Sequence, residues 1–254
     1  MQRARSILLK HWGYASFRQG QEEAIENVLA KKNTMVLLPT GGGKSLCFQV
    51  PAMVSEGVCL VISPLIALME DQVLALQNKN IKALHLGGNL SLADLRRKLD
   101  NVLYGDYKFL YLSPVRLQNE LVLETIRYLN ISLLAIDEAH CISQWGHDFR
   151  PAYRKINNLS DYIGKPPIIA LTATATPIVV QDILKLMNIE DAKLVQNSFK
   201  RANLSYETYM VSDKLRAVEQ VLKSKADPAV VYIRSRQGTV DYAKHLNSLG
   251  IKSS

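Results

Sequence analysis

Two short stretches of the 254-residue sequence combine residue types at spacings suited to phosphate chemistry. The first is LLPTGGGKS at 37–45, set between the apolar run MVLL and the apolar-patterned SLCFQVPAMV. A strand that enters a glycine-rich turn and leaves it as a helix turns backbone N–H groups and a helix N-terminus toward anions. Gly41, Gly42 and Gly43 let the main chain approach phosphate oxygens without Cβ clashes, and Thr40 stands at the loop's entrance. Lys44 adds a full positive charge, and the Ser45 hydroxyl can reach Mg²⁺. The pattern departs from the usual one at Leu38, the place of the first glycine in such loops. The competing reading is a flexible turn that happens to contain glycines.

The second stretch is LLAIDEAH at 133–140. A buried strand delivering two acids at its carboxyl end offers Asp137 to Mg²⁺, through water, and Glu138 to polarise an attacking water. Two acids placed to suit a helix dipole would look the same in isolation. Lys44 and Asp137 are 93 positions apart, so several strand–helix units must bring their loops together.

The hydrophobic pattern predicts those units. Strands are expected at 34–38, 58–62, 83–86, 109–112, 133–137, 168–172 and 193–196, most of them continuous apolar runs of the kind covered on both faces. Helices are expected at 65–78, 91–104, 116–128 and 177–187, with Ser91 and Asp94 spaced as a capping box. A short basic helix and a second at 20–30 precede them. The alternation predicts an α/β fold: a mainly parallel sheet with helices on both sides and ligands at the carboxyl ends of its strands. A first domain over 1–197, a polar linker at 198–203 and the beginning of a second α/β domain over 204–254 complete the expected organisation, with strands at 205–211 and 229–233 and helices at 214–224 and 238–249.

Composition sets the class. A hydrophobic share of 48% and a charged share of 21% are those of a soluble globular protein. The formal charge of +8 favours a polyanionic partner. The three cysteines lack metal-ligand spacing and fit a reducing compartment, and no apolar stretch has signal-peptide or membrane-spanning length. An intracellular protein with no membrane partner is expected, cytoplasmic and nucleoid-associated if bacterial.

PTGGGKS, DEAH and above all AHCISQWGHDFRPAY at 139–153 make the chain resemble RecQ-type ATP-dependent DNA helicases of superfamily 2, through motifs in order along essentially its whole length. The resemblance implies RecA-like P-loop lobes with ATP and Mg²⁺ between them, single-stranded DNA and duplex junctions as partners, and 3′ to 5′ unwinding. On that resemblance Tyr14 stacks on adenine, Gln21 bonds its edge and Arg18 supports the site. Ser63, Arg116, Trp145, His147, Phe149 and Arg150 are candidate DNA contacts, while His140, Gln144, Thr172 and Thr174 couple the ATP site to DNA. Val115 replaces the family's usual glutamate, and Ala202 its usual proline. Read from composition alone, Tyr14 can be a core aromatic, Trp145 and Phe149 a hydrophobic plug, and the threonines helix caps. The family's later motifs, including an arginine finger, are expected beyond Ser254, so little unwinding is expected of these residues by themselves.

Overall fold

The computed structural model describes residues 1–146, 148–198, 204–224 and 227–254. The chain divides into two units, Met1–Lys200 and Arg201–Ser254. In the first, seven strands form one sheet: β1 (Thr34–Leu37), β2 (Val58–Ile62), β3 (Ala83–Leu86), β4 (Phe109–Leu112), β5 (Ile131–Ile136), β6 (Ile168–Thr172) and β7 (Lys193–Gln196). Their order is β3-β4-β2-β5-β6-β1-β7. Every neighbouring pair is parallel.

The apolar runs are continuous because both faces of the sheet are covered. Period-two alternation divides them: Met35, Leu37, Leu60 and Ile62 face one core, and Val36, Leu38, Cys59 and Val61 face the other. Helices α5 (Leu92–Tyr104), α6 (Glu120–Tyr128) and α8 (Pro177–Leu186) cover the first face through Leu95, Leu99, Ile126 and Ile183. Helices α2 (Gln21–Leu29), α3 (Leu46–Val54) and α4 (Ile66–Gln77) cover the second through Val28, Phe48, Met69 and Leu76. Helix α1 (Gln2–Trp12) packs Ala4 and Leu8 against Ile25 and Val50. The short α7 (Ser160–Ile163) leads into β6.

All seven strands of the first unit lie where the sequence predicts them, β5 starting at Ile131 and ending before Asp137. The expected helix over 116–128 is instead a 3₁₀ turn, Pro114–Gln118, followed by α6. Asn119 separates them, its side chain accepting from the Val122 N–H at 3.2 Å, a cap that a polar residue inside an amphipathic pattern conceals.

In the second unit α9 (Lys214–Ser224) and α10 (Arg236–Ser248) form, the latter capped by Ser235 through the Gly238 N–H. The strands expected at 205–211 and 229–233 do not: among the described residues both stretches are extended without ladder pairing, and Tyr206 and Tyr232 are exposed. A parallel strand is stable only between hydrogen-bonded neighbours and under helices on both faces, which these residues do not provide. The predicted linker at 198–203 lies, apart from Ser198, outside the described residues.

Candidate nucleotide and magnesium site

Strands β5, β6 and β1 are adjacent, so the loops after them share one rim of the sheet. Leu38 is 1% exposed and extends the alternation of β1 into the helix-covered core, which accounts for an apolar residue where a glycine is usual. The chain then turns, Gly42 N–H donating to Pro39 O at 2.9 Å. A Cβ on Gly42 would lie 2.8 Å from that same carbonyl, and Gly43 has φ 74°, so both positions require glycine. Helix α3 begins at once, with Gln49 N–H donating to Ser45 O at 2.9 Å. The Lys44 ammonium folds back onto Leu38 O at 3.4 Å.

The segment before α2 braces this loop. Gln21 is buried; its Nε2 donates to Gly42 O and Gly43 O, both at 3.1 Å, and its Oε1 accepts from the Arg18 N–H at 2.8 Å. Arg18 Nη1 donates to Gly41 O at 2.7 Å. The structure therefore places the Gln21 amide on the loop backbone, not on a free edge, and Arg18 beside it. Tyr14 is exposed and is not a core aromatic.

Asp137 continues β5, its N–H donating to Ile62 O at 2.9 Å. The residue is 5% exposed. Oδ1 accepts from the Glu138 N–H at 3.1 Å and Oδ2 from Gln72 Nε2 at 3.4 Å, while its carbonyl accepts from the buried Tyr153 Oη at 3.0 Å. Burial pushes the Asp137 carboxyl up to about 6, with Glu138 adding to the rise; the Glu138 N–H, the Lys44 ammonium and Gln72 oppose it. Lys44 and Asp137 thus act on each other despite their separation in sequence. Glu138 sits in the left-handed region, φ 48° and ψ 47°, which is uncommon for a side chain of its size. The donors suit Mg²⁺: a buried carboxylate in want of positive charge, and a hydroxyl, Ser45, on the loop that carries Lys44.

The next turn joins this site to β6. Buried His140 Nδ1 lies 2.8 Å from Thr172 Oγ1 and 3.3 Å from Glu138 Oε2. Thr172 Oγ1 also accepts from the Thr174 N–H at 3.2 Å. The cap of α8 is Thr176, accepting from the Val179 N–H, so Thr172 serves the acidic loop and Thr174 is not the cap.

The loop after it is held at several points. Ser143 Oγ donates to Asp182 of α8 at 2.5 Å and accepts from the Trp145 N–H at 3.1 Å. Arg150 donates to Asp148 Oδ2 at 2.9 Å and to Pro64 O at 2.9 Å, so its guanidinium is committed to the fold instead of standing free for phosphate. The cation over the Phe149 ring is Arg154, at 5.1 Å from the centroid, a partner that the sequence reading missed. Arg154 also reaches Gln144 Oε1 at 3.4 Å. Trp145 is 67% exposed and is therefore no plug, whereas Phe149 is half-buried. His147 lies outside the described residues.

Two further DNA candidates are placed differently from expectation. Ser63 is 1% exposed, and its hydroxyl has no hydrogen-bond partner among the described residues. Arg116 donates to Leu86 O at 3.1 Å and Gly88 O at 2.5 Å, which ties the loop after β3 to the 3₁₀ turn. His140, Cys141 and Asp148 bring ligand atoms within 4.8 Å of one another. Burial pushes the Cys141 thiol up to about 12 and Arg150 already occupies Asp148, so this is a hydrogen-bonded knot. Gln49, Tyr111 and Gln72 were also missed; only Gln49, a buried amide in the otherwise apolar α3, carries a signal in retrospect, since Gln72 follows Glu70 and Asp71 on α4.

The DEAD/DEAH box helicase family matches residues 18–183. The chain is 41% identical over 252 residues to the probable ATP-dependent DNA helicase RecS of Bacillus subtilis, covering 98% of this chain and 50% of that protein. It is 43% identical over 240 residues to the ATP-dependent DNA helicase RecQ of the same organism, covering 93% and 41%. RecQ of Pasteurella multocida is 40% identical over 256 residues, covering 99% and 40%. The chain thus spans half or less of the length of these relatives. Among solved structures, the DUF1998 helicase MrfA matches with TM-score 0.71 at 18% identity over 98% of this chain and 41% of that one. The Pyrococcus furiosus Hef helicase domain matches with TM-score 0.57 at 19% identity over 93% and 55%. These structures share the RecA-like fold with its parallel sheet and flanking helices. No helix among the described residues is long and apolar enough to cross a membrane. With the glycine-rich loop, the paired acids and the family match over residues 18–183, the chain belongs to the DEAD/DEAH box helicases.

Proposed function

We propose that this chain is the ATP-binding part of a RecQ-type DNA helicase motor, with 1–197 as its first RecA-like lobe, 198–203 as connector and 204–254 as the opening of a second lobe. The observation that carries the reading is the buried Asp137 carboxylate within the field of Lys44, the two on loops that follow β5 and β1 along one rim of the sheet, with only β6 between those strands. In this reading the N–H groups of 40–45 and Lys44 hold the triphosphate, Ser45 and Asp137 hold Mg²⁺, and Tyr14 stacks on adenine. When bound, Mg²⁺ neutralises phosphate charge. Glu138 accepts a proton from the attacking water, and His140 and Thr172 report the state of that site along β6. Single-stranded DNA is contacted by Trp145 and Phe149, with Gln144 and His147 beside them, and in the whole protein it is tracked 3′ to 5′ toward duplex junctions. By themselves the 254 residues bind ATP, and DNA weakly, with little unwinding.

The test is ATP turnover with and without single-stranded DNA, together with nucleotide binding. Lys44→Ala is expected to weaken ATP binding by about 10- to 100-fold, the value of a charge-assisted bond. Glu138→Gln keeps ATP binding and removes turnover. Equal ATP affinity in wild type and Lys44→Ala refutes the site. Absence of DNA stimulation in a full-length protein carrying this chain favours a non-catalytic nucleotide- or DNA-binding module.

A further inference from the structure

A line of polar groups, buried except for the half-buried Gln72, crosses the face of the sheet covered by α2, α3 and α4 and ends on the magnesium carboxylate. Gln49 Nε2, on α3 one turn past Ser45, donates to Tyr111 Oη of β4 at 3.4 Å. Tyr111 Oη donates to Gln72 Oε1 of α4 at 3.0 Å. Gln72 Nε2 donates to Asp137 Oδ2 at 3.4 Å. Gln49 is 6% exposed and Tyr111 fully buried, so water does not substitute for the bond between them, while Gln72 is half-buried.

We propose that Gln72 and Tyr111 are positioning residues for the magnesium site, a statement that rests on the reading of Asp137 given above. The polarity of the line is set from its end. An ionised carboxylate accepts only, so Gln72 must turn its NH₂ group toward Asp137 and its oxygen toward Tyr111. Tyr111, kept protonated by burial, has one proton and gives it to that oxygen. Its lone pair takes the Gln49 donor. Removing the Tyr111 hydroxyl leaves the Gln72 oxygen without its donor, so the amide is held only at its Asp137 end and its position is less fixed. Together with the Glu138 N–H on Oδ1, the Gln72 donor fixes the plane of the carboxylate, leaving one lone pair on each oxygen for the ion's shell. The line also joins four elements, α3, β4, α4 and the end of β5: α3 directly follows the phosphate loop, and α4 starts three residues after Ser63. A shift of either helix therefore moves the carboxylate that holds the ion.

The experiment uses this chain with a fluorescent ATP analogue, and Mn²⁺ as a magnetic-resonance probe of the metal. Gln72→Met and Tyr111→Phe keep volume while breaking the line. Each is expected to weaken Mn²⁺ binding to the nucleotide complex about tenfold, a charge-assisted bond's share. Metal-free nucleotide affinity stays within about twofold, and melting temperature within the change typical of a single neutral substitution. A double variant is no weaker than Gln72→Met alone, because the two bonds act in series. Asp137→Asn is the control and must lose Mn²⁺ binding. If it does while Gln72→Met and Tyr111→Phe bind Mn²⁺ as wild type, the positioning role is overturned and the metal site stands. If Asp137→Asn itself binds Mn²⁺ normally, the metal assignment falls and the positioning role with it. Losses that add in the double variant, or that follow metal-free nucleotide affinity, also overturn the proposal.

Discussion

Asp137→Asn should make the fold more stable while destroying its chemistry. In the folded chain the Asp137 carboxyl titrates at about 6 in place of the ordinary 3.8, chiefly because burial disfavours the charge. A raised acid pKa means that the folded state binds the proton more tightly than the unfolded state. Below pH 3.8 both states are protonated and nothing is lost; as pH rises from 3.8 through about 6 the stability falls, and above that the loss is complete. At about 1.36 kcal/mol per pH unit the gap corresponds to roughly 3 kcal/mol. Asparagine carries no charge to bury, but its NH₂ group or its oxygen must face donors already set by Gln72 and the Glu138 N–H, which forfeits about 1 kcal/mol of hydrogen bonding. The net gain at pH 8 is about 2 kcal/mol, and for a unit of this size the melting temperature rises by roughly 4–8 °C. At pH 4 the advantage disappears, and the asparagine variant is equal or slightly less stable. Thermal melts of wild type and variant across pH 4 to 8, in metal-free buffer, decide it. A difference independent of pH, or a variant less stable at pH 8, refutes the account of a buried, charge-starved carboxylate.

Three other substitutions separate roles that the geometry distinguishes. Gly43→Ala puts a side chain at φ 74° and into the Gln21 amide, so it should cost about 1 kcal/mol or more of stability and weaken nucleotide binding, read by melts and by titration with an ATP analogue. Trp145→Ala removes an exposed ring; stability should change by less than about 0.5 kcal/mol, while anisotropy titrations with oligo-dT show affinity lower by about 1–3 kcal/mol. Arg116→Ala breaks two bonds to carbonyls, not to phosphate, so melting temperature falls while the slope of DNA affinity against salt stays within the error of wild type; a slope smaller by about one would make Arg116 a phosphate contact.

What could be read from the sequence was what is local. Runs such as VCLVI and LLAI announce buried strands because parallel strands need apolar side chains on both faces, and all seven strands of the first unit follow that pattern. The same logic failed at 229–233: AVVYI has the composition of a buried strand, but composition cannot supply the neighbours that a ladder requires, and the stretch stays unpaired. The signatures at 37–45 and 133–140 were legible because each performs its chemistry with contiguous backbone and side chains. The supports were not. Gln21 reaching across to the Gly42 and Gly43 carbonyls and Arg150 turning to Pro64 depend on packing between separate segments, and Arg154 lying over Phe149 depends on how one loop turns into the following 3₁₀ stretch. The line through residues 49, 72, 111 and 137 draws one group from each of four elements, so no window of sequence contains it.

The central claim is that one Mg²⁺ is shared by a triphosphate on the glycine-rich loop and by the acid at the end of β5. A crystal structure of the chain with Mg²⁺ and a non-hydrolysable ATP analogue tests it most directly. The account predicts β- and γ-phosphate oxygens on the N–H groups of 40–45, with the ion on Ser45 Oγ and joined to Asp137 directly or through one water. Phosphates bound elsewhere, or an ion on the phosphates with Asp137 facing away from it, would contradict it.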